Sequence, residues 1–313
     1  MKTNIRSIVV GCTPLAEKIA LILERDSNLV GIVNLHPTLG ATKSNYRFVD
    51  INDVPFYNTK DINDTETKQW LRDRESDIIV QCGWSQVFKE DVLGIPKKYC
   101  LGFHPSPLPT GRGAAILNWK IIESNGKDVE WGNSLFVMKR ITDSGRIIDF
   151  EPFVIEKRDN IRTAYLKVDE TSCKMLVRSL PKLALRDDLG TKQDHTKATR
   201  YFKRTPEDGL VKLTWSATQI HDYIRALTHP YPGAYFNTKI GTLSVWESEI
   251  VDSPNEDIGH VIEINKNGVV IMTGHNSAIR LKRVTYGHQE YWADDLFEKL
   301  RIKEGENIRN DLE

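Results

Sequence analysis

The chain has 313 residues, with 43 Lys and Arg balanced by 43 Asp and Glu for a formal net charge of zero. That balance argues against a large nonspecific nucleic-acid surface, which needs an excess of cations to meet phosphates. Hydrophobic residues at 40% and charged residues at 27% describe an ordinary soluble globular protein, and the length exceeds what one hydrophobic core usually serves.

In chain order, IRSIVVG (5–11) is a β-branched run ending in glycine, and AEKIALILERD after it has the apolar spacing of a helix. LVGIVN (29–34), SDIIVQCG (76–83) and KYCLGFH (98–104) read as three further strands. Strands alternating with helical segments predict a Rossmann-like, mostly parallel α/β sheet with helices on both faces. Ligands of such sheets sit beyond the carboxyl ends of the strands. The first turn, GCTPLAE, is not GxGxxG, so no dinucleotide site is expected there. Cys12, Cys82, Cys100 and Cys173 are widely spaced and form no CxxC pair. Buried thiols in a reducing, cytoplasmic setting are therefore expected, not a zinc site or a disulfide framework. The start, MKTNIRSIVVGC, lacks the apolar stretch of a signal peptide, and no run approaches the ~20 apolar residues of a membrane span.

AILNWKIIESN (115–125) has helical spacing, and WGNSLFVMKRI (131–141) is strand-like and ends in the loop TDSG (142–145). IRTAYLKVDETSCKMLVRSLPKLA (161–184) has amphipathic helix periodicity. RDDLGTKQDHTKATRYFKRTPEDG is polar and reads as a surface connection. WSATQIHDYIRAL (215–227) is a helix with Ser216 at its N-cap, closed by HPYPGAYF. From about 237 the pattern changes to period-two segments with glycine turns, predicting a small antiparallel β domain of barrel type. Asn267-Gly268 in INKNGVVI suits a type I′ hairpin turn. The last residues, KEGENIRNDLE, are charged and expected to fray.

Three places carry chemistry. LGFHPSPLPTGRGAAILNW (101–119) sets His104 before prolines and a Gly-Arg-Gly, residue types that hold or permit a particular chain path. Asp143, in ITDSGRI, follows a predicted strand, and GWSQVF (83–88) also lies just past one. If those strands are neighbours, the three loops open on one sheet edge, where a carboxylate beside an imidazole suits general acid–base work. Each feature also has a purely structural account. His104 is then a satisfied histidine, Asp143 an Asx turn and Trp84 the cover of a core edge. Arg112 between glycines suits either an anion or a backbone carbonyl.

HPSPLPTGRGAAILNW followed by ITDSGRI resembles the signature of the 10-formyltetrahydrofolate-dependent formyltransferases. The usual form there is Asn-x-His-x-Ser-x-Leu-Pro-x-x-Arg-Gly, then Asp-Ser/Ala-Gly. RTPEDGLVKLTWSATQIHDYIRALTHPYPGAYF (204–236) resembles the junction in the methionyl-tRNA and nucleotide-linked amino-sugar members, and the β segments after it resemble their small OB-like domain. The resemblance implies a catalytic domain over 1–203, a junction over 204–236 and the OB-like domain over 237–313. It implies His104 as general base or proton shuttle, with Asp143 orienting it. Gly83, Trp84, Ser85, Gln86 and Val87, with Asp143 and Gly145, are then expected to line the pterin pocket of 10-formyltetrahydrofolate, and no metal is needed. Ser106, Pro107, Leu108, Thr110, Arg112 and Gly113 are expected to shape the wall between donor and acceptor. Lys203 and Arg204 either meet a diphosphate or face solvent.

There is one departure: the family asparagine two residues before the histidine is Gly102 here. That side chain ordinarily polarises the formyl carbonyl, a contribution of ~3 kcal/mol when one such donor is lost. Protonated His104 alone, a water or backbone N–H in the space freed by glycine, or Asn118 or Asn133 reaching in are the competing substitutes. A slow or inactive protein ranks last, because glycine loops of this kind resemble a subgroup of sugar formyltransferases.

Two acceptors fit. Segment 237–313 mixes the acidic WESEIVDSPNED with the brief basic run RLKRV, weak support for a tRNA-binding face. The resemblance over 204–236 is closer to the sugar enzymes. A nucleotide-linked amino-dideoxysugar, used in bacterial surface glycans such as lipopolysaccharide O-antigen, is thus the expected acceptor, with charged initiator tRNA second and a non-catalytic binding relative third. A homodimer through the β-rich C-terminal part goes with the sugar-enzyme resemblance.

Overall fold

Buried valine and isoleucine positions build the first sheet. The computed structural model describes residues 2–42, 48, 51, 53–187, 189–252 and 255–310. The chain runs through β1 (Arg6–Gly11), α1 (Pro14–Asp26), β2 (Asn28–Leu35), β3 (Phe56–Thr59), α2 (Thr65–Arg72), β4 (Ile78–Cys82) and α3 (Glu90–Leu93). Then come β5 (Tyr99–His104), the two-residue β6 (Arg112–Gly113), α4 (Ile116–Ile122), β7 (Val129–Val137), β8 (Ile147–Ile155), α5 (Ile161–Leu185) and β9 (Arg200–Tyr201).

Seven of these strands form one sheet in the order β3-β2-β1-β4-β5-β7-β8. β1 pairs in parallel with β2 and β4, β2 with β3, and β4 with β5, while β5 meets β7 antiparallel. Successive side chains of a strand point to opposite faces, so each strand feeds two cores. Val9, Ile32, Val80 and Leu101 cluster with Ile19 and Leu23 of α1 and Leu176 and Leu180 of α5. Ile8, Val10, Val33 and Ile79 cluster with Leu71 of α2 and Val92 of α3. The mostly parallel sheet with helices on both faces is thus as the sequence predicts. The edge strands β3 and β8 bury few residues, which is why no apolar period announces them. The strand order reverses between β1 and β4, and such a switch point opens a crevice at the carboxyl ends.

The chain divides into two interleaved compact units: Met1–Gly113, Trp131–Phe153 and Lys167–Tyr201 form one, and Ala114–Glu130, Val154–Leu166 and Phe202–Glu313 the other. Segments 114–130 and 154–166 therefore group differently from a single boundary at 203/204. The reason lies in buried polar bonds of the second unit. In α6 (Ala217–Leu227), Arg225 donates to the Asp159 carbonyl at 2.7 Å, and the Asn118 amide donates to the Ala226 carbonyl at 2.7 Å.

The second unit also holds β10 (Ala234–Thr238), β11 (Gly241–Val251), β12 (Val261–Asn265), β13 (Gly268–Thr273), β14 (Ser277–Tyr286), β15 (Gln289–Trp292) and α7 (Ala293–Lys299). Its antiparallel sheet has the order β10-β11-β14-β13-β12, with β15 on β14. Two expectations need correction. Asn265 pairs with Gly268, so the hairpin turn is Lys266-Asn267 and not Asn267-Gly268. Gly268 instead begins β13, where a Cβ would stand 2.2 Å from the Leu281 carbonyl oxygen. The C-terminal segment does not fray through residue 310. Bridges tie Arg309 to Thr238 and Asn307 to His260, and Ile308 is buried between backbone bonds to Lys239 and Gly259. That segment joins the two edges of the sheet; residues 311–313 lie outside the described ones.

Ser216 caps α6 in a capping box with Gln219. None of the four cysteines is in a disulfide; Cys12, Cys82 and Cys100 are buried and Cys173 is half-buried. Burial pushes the Cys82 and Cys100 thiols well above the usual range. No helix of the described residues is long and apolar enough to cross a membrane.

Candidate active site

His104 is the last residue of β5 and is buried. Its Nε2 lies 2.7 Å from the Gly111 carbonyl; a carbonyl only accepts, so Nε2 carries the hydrogen. Its Nδ1 stands 3.7 Å from Asp143 Oδ1, an ion-pair distance rather than a hydrogen bond. The other oxygen of that carboxylate accepts from the Gly113 N–H at 2.9 Å. The glycines on either side of Arg112 thus serve His104 and Asp143 separately, one through its carbonyl and the other through its N–H.

The loop after His104 is held as its prolines suggest, and residues of β7 do much of the holding. Ser134 Oγ donates to the Ser106 carbonyl at 2.7 Å and accepts from the Leu108 N–H at 3.3 Å. Trp131 Nε1 donates to the Pro105 carbonyl at 2.7 Å, and the Gly111 N–H donates to Thr199 Oγ1 at 2.8 Å. Ser106 is fully buried, and its Oγ has no hydrogen-bond partner. Gly113 and Gly145 are backbone contacts: a Cβ would fall 2.0 Å from the Tyr201 carbonyl oxygen at the first and 1.6 Å from that of Val137 at the second.

Arg112 takes neither of its two expected partners. Its Nη2 donates to Gln193 Oε1 at 2.6 Å and to His195 Nδ1 at 2.8 Å. Burial, then Arg200, holds its pKa below the usual guanidinium value, against the pull of Asp143. Gln193 and Thr199 belong to the stretch read as a polar surface connection. Only a run of hydrogen-bonding side chains marked them, and that signal does not separate surface from site.

The GWSQVF loop is braced from within. Trp84 is 7% exposed in the core beside α2 and α3, so its cover role is the one seen; its Nε1 lacks a partner. Gln86 spends its amide on the Lys60 carbonyl and the Ile62 N–H, so that side chain is a strut for a neighbouring loop. Gly83 adopts φ +61° with its Cα side against Thr13, at the switch point, and Val87 is exposed. A cavity of about 420 Å³ lies next to this loop in the chain, lined by Glu90, Leu93 and Gly94 on one side and Met138–Ile141 and Ser144 on the other. None of Gly83–Val87, Asp143 or Gly145 lines it; their chain neighbours do.

Gly102 faces filled space. A Cβ there would lie 3.2 Å from the Phe136 ring and 3.3 Å from Met138, which corrects the expectation that glycine frees room for a water. Asn133 donates to the Val168 carbonyl, Thr171 and Ser172, and Asn118 to the Ala226 carbonyl, so the amide donors of both are committed elsewhere. Lys203 and Arg204 belong to the second unit. Lys203 is exposed, whereas the Arg204 guanidinium lies 4.4 Å over the Trp119 ring and donates to the Asp208 carbonyl.

Comparison with known proteins matches this arrangement to one family. Residues 37–180 match the family described as Formyl transferase, and residues 203–301 its C-terminal domain. A methionyl-tRNA formyltransferase of Staphylococcus epidermidis is 30% identical over 231 residues, 74% of this chain and 73% of that protein. Among solved structures, HypX from Aquifex aeolicus in complex with tetrahydrofolic acid covers 95% of this chain with a TM-score of 0.68 at 16% identity; the chain spans 47% of HypX, about half its length. The N-formyltransferase from Helicobacter canadensis, in complex with folinic acid and dTDP-3-aminofucose, covers 92% of this chain and 100% of its own at a TM-score of 0.62 and 16% identity. Those two likenesses establish a shared fold. With both halves of the family matched, and 30% identity to a relative across 74% of its length, the chain belongs to the formyltransferase family.

Proposed function

We propose that the chain moves the formyl group of 10-formyltetrahydrofolate to the amine of a nucleotide-linked amino-dideoxysugar. One observation carries the choice of acceptor. In the basic run 280–283, Arg280 pairs with Glu263 at 2.9 Å, Lys282 with Glu249 at 3.1 Å, and Arg283 with Glu290. Lys266 in the hairpin turn lies 3.0 Å from Asp294 and 3.2 Å from Asp295. Cations already neutralised by carboxylates offer RNA phosphates little. The Helicobacter canadensis neighbour, whose structure holds a dTDP-amino sugar, supports the same reading. The relative at 30% identity favours charged initiator tRNA as the second reading.

The cavity of about 420 Å³ in the first unit supports the donor reading: its volume is in the range of roughly 300–1,000 Å³ typical of small-molecule sites, Leu93, Met138 and Ile141 give it apolar walls, and Lys139 is a cation for the donor's carboxylates, while Arg140 is paired with Glu90 at 3.3 Å.

In the mechanism that follows, a neutral acceptor amine adds to the formyl carbon. His104 Nδ1, the ring nitrogen that Gly111 leaves available, takes the proton lost by that amine. It delivers the proton to N10 as the carbon–N10 bond breaks, so tetrahydrofolate departs and the formamide stays on the sugar. Asp143 offsets the positive charge on the ring meanwhile. With the Gly102 face filled and the amide donors of Asn118 and Asn133 engaged, the Nδ1–H that His104 gains from the amine is the donor offered to the oxyanion of the tetrahedral intermediate before that proton passes to N10.

The test is a panel of acceptors offered with 10-formyltetrahydrofolate: dTDP- and UDP-linked 3-amino and 4-amino dideoxysugars beside charged initiator tRNA. Tetrahydrofolate release with a sugar is the expected result. Release with tRNA alone reverses the assignment.

A further inference from the structure

We propose that Gln193 is a positioning residue for the reacting pair, setting where the Asp143 carboxylate stands relative to His104. This rests on His104 and Asp143 being that pair. Gln193 is buried at 8% exposure, and both ends of its amide are used. Nε2 donates to the carbonyls of Asp143 at 2.8 Å and Gly145 at 2.7 Å. Oε1 accepts from Arg112 Nη2 at 2.6 Å and from its Nε at 3.3 Å.

The geometry gives that amide unusual leverage. Asp143 adopts φ +60°, a region a non-glycine residue occupies only when its surroundings hold it there. The two gripped carbonyls belong to the residues on either side of Ser144, and the first lies in the peptide that follows Asp143, so its bond fixes one of the two peptide planes that aim the Asp143 side chain. At Gly145 the same loop passes so close to the Val137 carbonyl that no side chain fits. At its other end Gln193 holds Arg112, whose neighbours Gly111 and Gly113 contact His104 and the Asp143 carboxylate respectively. One side chain therefore couples the segment that anchors the imidazole to the loop that carries the carboxylate. A buried polar network of this kind rewards full satisfaction and penalises the loss of any member. The charged and titratable groups around the pair are Asp143 itself, Arg112 with His195 behind it, and Arg200, which acts on Arg112.

The experiment uses the intact protein labelled with ¹⁵N-histidine, with His104 assigned by its loss in His104→Gln. In Gln193→Ala the His104 ring signals are expected to move toward their positions in Asp143→Asn, while those of His221 and His260 stay put. Adding Gln193→Ala to Asp143→Asn is expected to move His104 no further. Gln193→Glu keeps the size of the side chain and its contact with Arg112 but cannot donate to the two carbonyls; it is expected to give the same displacement and covers an alanine variant that fails to fold. His104 signals unmoved in a folded Gln193 variant, or moved equally in the Asp143→Asn background, overturn the proposal. No donor or acceptor enters this measurement, so a wrong acceptor and a wrong role for Gln193 are detected separately.

Discussion

Gly102 lies opposite Phe136 in the β5–β7 pair, and the ring occupies the face on which the family asparagine is expected. His104, two residues on, shares that face, and its ring meets Phe136 edge-on at 6.4 Å. Restoring the asparagine thus means displacing Phe136, which is buried, or Met138. Gly102→Asn is expected to lower stability by about 1–3 kcal/mol, the usual cost of overpacking, without raising turnover. Thermal unfolding and formyl-transfer rates check this. A variant as stable as the parent and faster would show that the pocket accommodates the amide after all.

His104→Asn and Asp143→Asn are each expected to reduce kcat by roughly 10²–10⁴, the range for losing a proton-transfer group. Asparagine is the informative replacement at 143, because it tolerates the positive φ there while removing the charge. Asp143→Ala is expected to lose stability in addition. Near-parental turnover in either asparagine variant removes that residue from the mechanism.

The second unit depends on a buried ion pair. Arg225 Nε lies 2.8 Å from Asp222 Oδ1, with side-chain exposures of 5% and 1%, and the Gly126 N–H donates to the other Asp222 oxygen at 2.9 Å. Asp222→Ala leaves a buried guanidinium uncompensated and is expected to cost about 3–5 kcal/mol. A denaturant midpoint shifted by much less than that, with the slope unchanged, counts against the account of why segments 114–130 and 154–166 join this unit.

Stability is expected to fall on acidification partly through His221. Its Nδ1 lies 2.9 Å from Ser248 Oγ, and burial, then Arg225, holds its pKa below the ordinary value, with Lys282 adding to and Asp222 and Glu249 opposing that effect. The folded ring stays neutral while the unfolded one takes a proton. The stability is whole above the unfolded value of about 6.5 and declines as the pH drops through it, levelling off below the folded pKa. Denaturant unfolding at a series of pH values should show His221→Gln with a shallower decline than the parent. An identical slope in the two proteins would assign the acid sensitivity elsewhere.

The pattern of residue types is enough to locate the elements whose burial is nearly complete. β1, β2, β4 and β5 appear as continuous apolar runs because both faces of a central parallel strand are covered, and α1, α5 and α6 appear through their apolar spacing. It also marked His104 and Asp143, because fixed and permissive backbone residues cluster around them, and the glycine positions prove to be places where a Cβ collides with another chain segment. Which distant groups meet is set by the folded chain. Gln193 reaches Asp143 across 50 residues, Phe136 fills the face of Gly102, the C-terminal segment joins two sheet edges, and Arg225 reaches Asp159 across 66. Periodicity reports whether a residue is covered, since covering is a property of one position. It cannot report by what, because a hydrogen bond or a filled cavity is a property of two positions that the folded chain alone brings together.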